Sequence, residues 1–102
     1  MKTSAYYVFF SNLASPLRIG IVEALKKKPL SVSELSEELD VEQSKLSHAL
    51  GNLRCCNIVN VKQKGKQRIY ALNKKTIVPI LGLIDKHAKT FCKGGCSKKC
   101  KK

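Results

Sequence analysis

A mainly α-helical fold with a small β-hairpin, a winged helix-turn-helix of five helices with two strands between the fourth and the fifth, is predicted for this chain by three observations. Two short amphipathic segments, SVSELSEELDV and EQSKLSHALGNL, follow one another with only a tight turn between them. They run straight into an alternating strand pair around KQKGKQR. Charge is lopsided as well: residues 1–42 hold five Lys or Arg against six acids, while residues 43–102 hold fifteen against one. Helix, tight turn, helix and basic ribbon is an order that offers one helix to a DNA groove and a cationic hairpin to the adjoining backbone.

The first helix is expected over Ser4–Leu13, where Tyr6, Tyr7, Phe9, Phe10 and Leu13 recur at spacings of three and four. Four of the six aromatics crowd into this segment, so its face must be covered by the domain, by a second subunit or by both. Pro16 suits the first turn of a second helix through Leu17, Ile19, Ile21, Val22 and Leu25, which ends in Lys26–Lys28 before Pro29. Cations at that end complement the helix dipole. Ser31 and Glu34 have the spacing of a capping box, opening a short third helix with Leu35 and Leu39 inward, and Asp40, Val41 and Glu42 make the turn.

From Gln43 the fourth helix puts Leu46, Ala49, Leu50 and Leu53 on one side, leaving Ser44, Lys45, Ser47, His48 and Asn52 largely on the other. Those short polar side chains reach base edges and phosphates from a helix in the major groove, where each base pair shows its own donor and acceptor pattern. A generic solvated helix face would share this composition, and what argues against that reading is the sequel. Ile58–Val61 and Gln67–Leu72 have strand character, and Lys62, Gln63, Lys64, Gly65 and Lys66 separate them with Gly65 at the tip. Lys62, Lys64, Lys66 and Arg68 cluster there as a wing. The apolar spacing of Ile77, Ile80, Leu81, Ile84 and Ala88 then marks a last helix.

At 102 residues the chain has room for one domain with a modest core, assigned to residues 1–90 with dimerisation included, followed by a basic, cysteine-containing tail over 91–102. No apolar run approaches a membrane span, and MKTSAYYVFF lacks the order of a signal peptide, so a cytoplasmic protein with no membrane partner is expected. Paired carboxylates, a phosphate-cradling glycine loop and a nucleophile–base order are all missing from the sequence, and no enzyme is expected. The expected partners are double-stranded DNA and a second copy of the chain. The rival reading is a sequence-tolerant architectural nucleic-acid binder driven by the basic half of the chain.

The element order and several strings resemble the ArsR family of metal- and stress-responsive winged-helix repressors over residues 9–72. FFSNLASPLRIGIVEAL, LSVSELSEELDVEQSKLSHAL, and NLRCCNIV followed by a wing ending in RIYAL carry the resemblance. It implies a homodimer joined by the first and last helices, with two copies of the Gln43–Leu53 helix in successive major grooves of a near-palindromic operator. It also implies DNA-reading roles for Gln43, Ser44, Ser47 and His48, to which Lys45 is added on chemical grounds. Lys64, Lys66 and Arg68 become wing contacts, with Lys62 beside them.

The sensory features depart from that family. Many members place Cys-x-Cys beside the third helix, whereas Leu30–Leu35 here reads LSVSEL. Asp85-Lys86-His87 resembles the first half of a second family metal site, but Lys98 and Lys101 occupy the places of its later ligands. Cys92, Cys96 and Cys100, with His87, form a candidate tetrahedral shell for zinc or another thiophilic metal, and no other cofactor is expected. The seven lysines from Lys86 to Lys102 favour thiolate there, which serves metal binding and oxidation alike. A metal site, a redox pair and a basic tail with incidental cysteines remain three open readings. Cys56 corresponds to a cysteine of some soft-metal sensors, while its usual mate one turn earlier is Asn52 here.

Overall fold

Serine caps begin the first three helices of the computed structural model, which describes residues 4–91. Ser4 Oγ accepts from the Tyr7 N–H at 3.1 Å and starts α1 (Ala5–Leu13), and Ser15 Oγ accepts from the Arg18 N–H at 3.4 Å and starts α2 (Pro16–Lys27). At α3 (Val32–Leu39) the capping box is complete. The Glu34 N–H donates to Ser31 Oγ at 3.2 Å, and the Ser31 N–H donates to Glu34 Oε1 at 2.9 Å, so two otherwise unpaired helix-end donors are satisfied.

The turn after α3 is closed by Asp40 at φ 55°, a left-handed conformation that aspartate tolerates better than most residues, and the Ser36 hydroxyl donates to the Val41 carbonyl at 2.7 Å. This launches α4 (Gln43–Cys55). Asn57, at φ 56°, ends it: the Ile58 N–H returns to Leu53 O at 3.0 Å and the Asn57 N–H to Arg54 O at 2.9 Å, the paired bonds of a Schellman stop. Ile58 is fully buried behind that stop and delivers the chain into the sheet.

The sheet has three antiparallel strands in the order β1 (Leu30–Ser31), β3 (Gln67–Leu72), β2 (Val59–Lys64). Two features differ from the sequence expectation. Two residues of the α2–α3 link form a third strand, Leu30 opposite Tyr70 and Ser31 opposite Ile69. The hairpin is also longer: β2 continues through Lys62, Gln63 and Lys64 to pair Lys64 with Gln67, leaving only Gly65 and Lys66 as the turn. A two-residue hairpin turn needs positive φ at its first central position when built in the type II′ manner, and Gly65 supplies it at 63°.

The core is formed where α2, α3 and α4 meet the inner face of the sheet. Ile21, Leu35, Leu46, Leu50, Leu53 and Ile58 have no exposed surface, and Val59, Tyr70 and Leu72 close the layer from the strands. Each such side chain contributes about 1.5–3 kcal/mol of burial. α5 (Ile77–Phe91) follows a turn tied by Asn73, whose Nδ2 donates to Asn57 O and whose Oδ1 accepts from the Lys75 N–H, both at 2.9 Å. Only Ile77 of α5 is buried, whereas Val78, Leu83, Ile84 and Phe91 lie exposed. Tyr6, Tyr7, Val8 and Phe10 of α1 are exposed too, so the two terminal described helices carry most of the uncovered apolar surface, Ile19 of α2 adding to it. No single described helix is long and apolar enough to cross a membrane.

Candidate nucleic-acid interface

α4 separates its two faces as its sequence requires. Leu46, Ala49, Leu50 and Leu53 point into the core, and Gln43, Ser44, Lys45, Ser47 and His48 are all exposed. Glu42 makes no side-chain capping bond at its N-terminus, and the free N–H groups of the first turn stand beside the exposed polar row. Gly51 and Arg54 extend that row along the helix. Arg54, a cation in the last turn, is missing from the site that the sequence predicts, and the exposure of its face marks it.

A shallow depression of about 360 Å³ lies beside the N-terminal half of this row, lined by Ser44, Lys45 and His48 from α4 and by Ser15, Leu17 and Arg18 from the start of α2. Spatial convergence of two helices is not legible in spacing, and so Ser15 and Arg18 escape a sequence reading. Arg18 also joins a strut beneath α4: its Nη1 donates to Asn12 Oδ1 at 2.8 Å and to Asn12 O at 3.2 Å. Asn12 Nδ2 in turn donates to Asn52 O and Cys56 Sγ, both at 2.9 Å. The half-buried Cys56 therefore packs as a small hydrogen-bonded side chain at the foot of α4, while Cys55 is exposed.

On the ribbon, cross-strand register divides the cations. Lys62 pairs with Ile69 and Lys64 with Gln67, which puts both lysines on the outer face of the sheet; Arg68 pairs with Gln63 on the face that continues the core layer. Lys66 occupies the turn. All four are exposed, so tip and both faces of the hairpin are positively charged.

The described residues do not fit the metal sites of the family the sequence resembles. Leu30–Leu35 offers no thiol, and Asp85 Oδ2 is engaged by Lys26 Nζ at 2.8 Å in an exposed ion pair between α5 and α2. The His87 ring lies 4.8 Å from that of Phe91, tilted by 39°. Among the described residues no group of three or more His, Cys, Asp or Glu stands close enough to hold an ion. The candidate ligands Cys92, Cys96 and Cys100, and with them all of the expected 91–102 tail but Phe91, the last residue of α5, lie outside the described residues.

Fold and sequence comparisons agree that this is a winged helix-turn-helix, DNA-binding transcriptional regulator. Residues 15–61 match the family model for "Bacterial regulatory protein, arsR family", and the chain belongs to the ArsR family. It is 38% identical over 79 residues to the HTH-type transcriptional regulator Rv0081 of Mycobacterium tuberculosis, covering 76% of this chain and 69% of that relative. The crystal structure of Rv0081 superposes with a TM-score of 0.76, at 32% identity, over 86% of this chain and 93% of the other. The transcriptional activator HlyU of Vibrio cholerae is 31% identical over 77 residues, 76% of this chain and 71% of HlyU. The fold, though little of the sequence, is shared with the homodimeric winged-helix domain of Mb0332 from Mycobacterium bovis: TM-score 0.80 at 15% identity, over 90% of this chain and 85% of that one.

Proposed function

We propose that the protein is a homodimeric, sequence-specific repressor whose two α4 helices enter successive major grooves of a near-palindromic operator. The observation that carries this reading is the exposed row Gln43, Ser44, Lys45, Ser47 and His48 on a helix whose opposite face is fully buried. Rigid seating of α4 gives its polar side chains the fixed geometry that base-edge hydrogen bonds require. The ribbon supplies phosphate contacts through Lys62, Lys64, Lys66 and Arg68. Pairing through α1 and α5 covers Tyr6, Phe10, Leu83 and Ile84, which would otherwise form an aggregation-prone surface, and a dimer bound across a promoter excludes other proteins from it.

Operator selection followed by competition tests the proposal. A sequence-specific dimer retains an excess of about a thousandfold or more for its selected duplex over unrelated duplex at moderate salt. A ratio near unity establishes the sequence-tolerant architectural binder instead. Transcription from a promoter carrying the selected duplex must fall when the protein is added; a rise assigns activation.

The proposal extends to a thiol input in the tail, where Cys92, Cys96 and Cys100 recur every fourth residue and His87 stands five residues before the first. Zinc or another thiophilic ion would find three thiolates and an imidazole there, and oxidation would find the same sulfurs. Native mass spectrometry with and without a chelator and a reductant reads subunit number, bound ion and disulfides together.

A further inference from the structure

The outer face of the sheet gathers cations that the groove-reading helix does not use. Lys62 and Lys64 of β2 point there by register, and the chain brings Lys28 from the end of α2 and Lys74 and Lys75 from the β3–α5 turn to the same place. Together with Glu34 they rim an open basin of about 1300 Å³. Glu34 accepts from the Ser31 N–H and keeps its charge, so five lysine ammonium groups face a single carboxylate among the described residues of the rim. Lysines on the edge strand β2 alone would be the ordinary defence against edge-to-edge pairing, but Lys28, Lys74 and Lys75 belong to other segments and owe nothing to that edge.

The composition of the basin decides what fits it. Its floor is formed by the half-buried Ile69 and Ala71, and its walls by the neutral amides of Asn60 and Gln67 and by Asn73, whose amide is held by Asn57 O and the Lys75 N–H. Among the described residues no aromatic side chain lines it, and no arginine. Protein–protein hot spots are built on aromatic residues and arginine and are depleted in lysine, whereas lysine and carboxamide donors are what phosphodiester oxygens receive. The basin is continuous with the wing, since Lys62 and Lys64 belong to both.

We propose, resting on the operator reading above, that the outer sheet face is a second phosphate-binding surface that takes the duplex flanking each operator half-site. Lys28, Lys74 and Lys75 hold the flank, and Lys62 and Lys64 hand the backbone from the wing to the basin. The surface reads no sequence. It lengthens the bound duplex and steepens the salt dependence of binding.

Fluorescence anisotropy on the full chain tests this with two duplexes that share the operator core, one ending at the core and one extended by about one helical turn on each side, over a range of salt. The wild type is expected to bind the extended duplex more tightly and with a steeper log–log salt slope. The variant Lys28→Gln/Lys74→Gln/Lys75→Gln is expected to bind both duplexes alike, its slope on the extended one reduced by about three per protomer, near one for each phosphate that a lysine no longer neutralises. A charge-matched control, Lys27→Gln/Lys86→Gln/Lys89→Gln, must keep the preference for the extended duplex. Circular dichroism establishes that each variant is folded. Equal binding of the two duplexes by the wild type overturns the proposal, as does an equal loss on both duplexes in the basin variant, or loss of the preference in the control. Binding of an oligoglutamate peptide that needs the three basin lysines, without any flank effect, overturns it in favour of an acidic protein segment. Failure of the wild type to select any core would instead sink the operator reading, a separate result.

Discussion

The side-chain amide of Asn12 reaches from α1 to the foot of α4, its Nδ2 2.9 Å from the Sγ of Cys56. The same nitrogen donates to Asn52 O, and the Asn12 oxygens hold the Arg18 guanidinium, so a single residue ties the end of α1 to the start of α2 and the end of α4. Asn12→Ala removes the side-chain bonds and strands Asn52 O and part of Arg18 without partners. The expected cost is about 1–3 kcal/mol, a fall in Tm of several degrees or more for a domain this size. Thermal unfolding followed by circular dichroism checks the stability loss. Operator affinity should fall further than the unfolded fraction accounts for, because α4 loses its lateral support.

The contacts proposed for α4 and for the ribbon should respond differently to truncation. Ser47→Ala and His48→Ala, on the exposed face of α4, are expected to lose about 1–3 kcal/mol against the selected operator and little against unrelated duplex. Arg68→Ala and Lys66→Ala, on the ribbon, are expected to weaken both alike and to lower the salt slope by about one each. Anisotropy titrations on the two duplexes separate these patterns; loss of specificity in the ribbon variants instead would move base readout onto the wing.

Much of this arrangement is readable before any coordinates, because local rules and global fold coincide. Ser31 and Glu34 state the start of α3 outright, and the spacing of Leu46, Ala49, Leu50 and Leu53 states which way α4 faces. The hairpin is less legible. Lys62, Gln63 and Lys64 have poor strand propensity and read as loop, yet the positive φ at Gly65 allows a two-residue turn, and the register it sets carries pairing three residues further. β1 has too few residues to show a period. Arg18 and the outer basin depend on segments far apart in sequence, so no spacing along the chain announces them.

The hairpin turn supplies its own prediction. An added Cβ at Gly65 meets no atom within 4 Å, so Gly65→Ala costs conformational energy alone. With φ at 63° that cost is expected to be about 1–3 kcal/mol, relieved in part by fraying of Lys64 and Gln67. Amide hydrogen exchange should show faster exchange in β2 and β3 near the tip while Leu50 and Leu53 stay protected. Uniform loss of protection across the core would show that the ribbon is integral to folding and is no peripheral reader.

The exposed apolar surface of α1 and α5 predicts how the protein assembles. Leu83 is 67% exposed and Phe10 60%, values that leave the fold of one chain indifferent to a polar replacement. Leu83→Glu and Phe10→Glu are therefore expected to keep the thermal transition of the isolated domain while placing carboxylates in the centre of a self-complementary interface, where each meets its own symmetry mate. If the proposed homodimer forms through these faces, sedimentation should show dimers for the wild type and monomers for the variants. Because one half-site then binds without the avidity of the second, operator affinity should drop by about a hundredfold or more, with unchanged contacts from each α4. Variants that stay dimeric would put the interface elsewhere and leave the apolar faces of α1 and α5 to another partner.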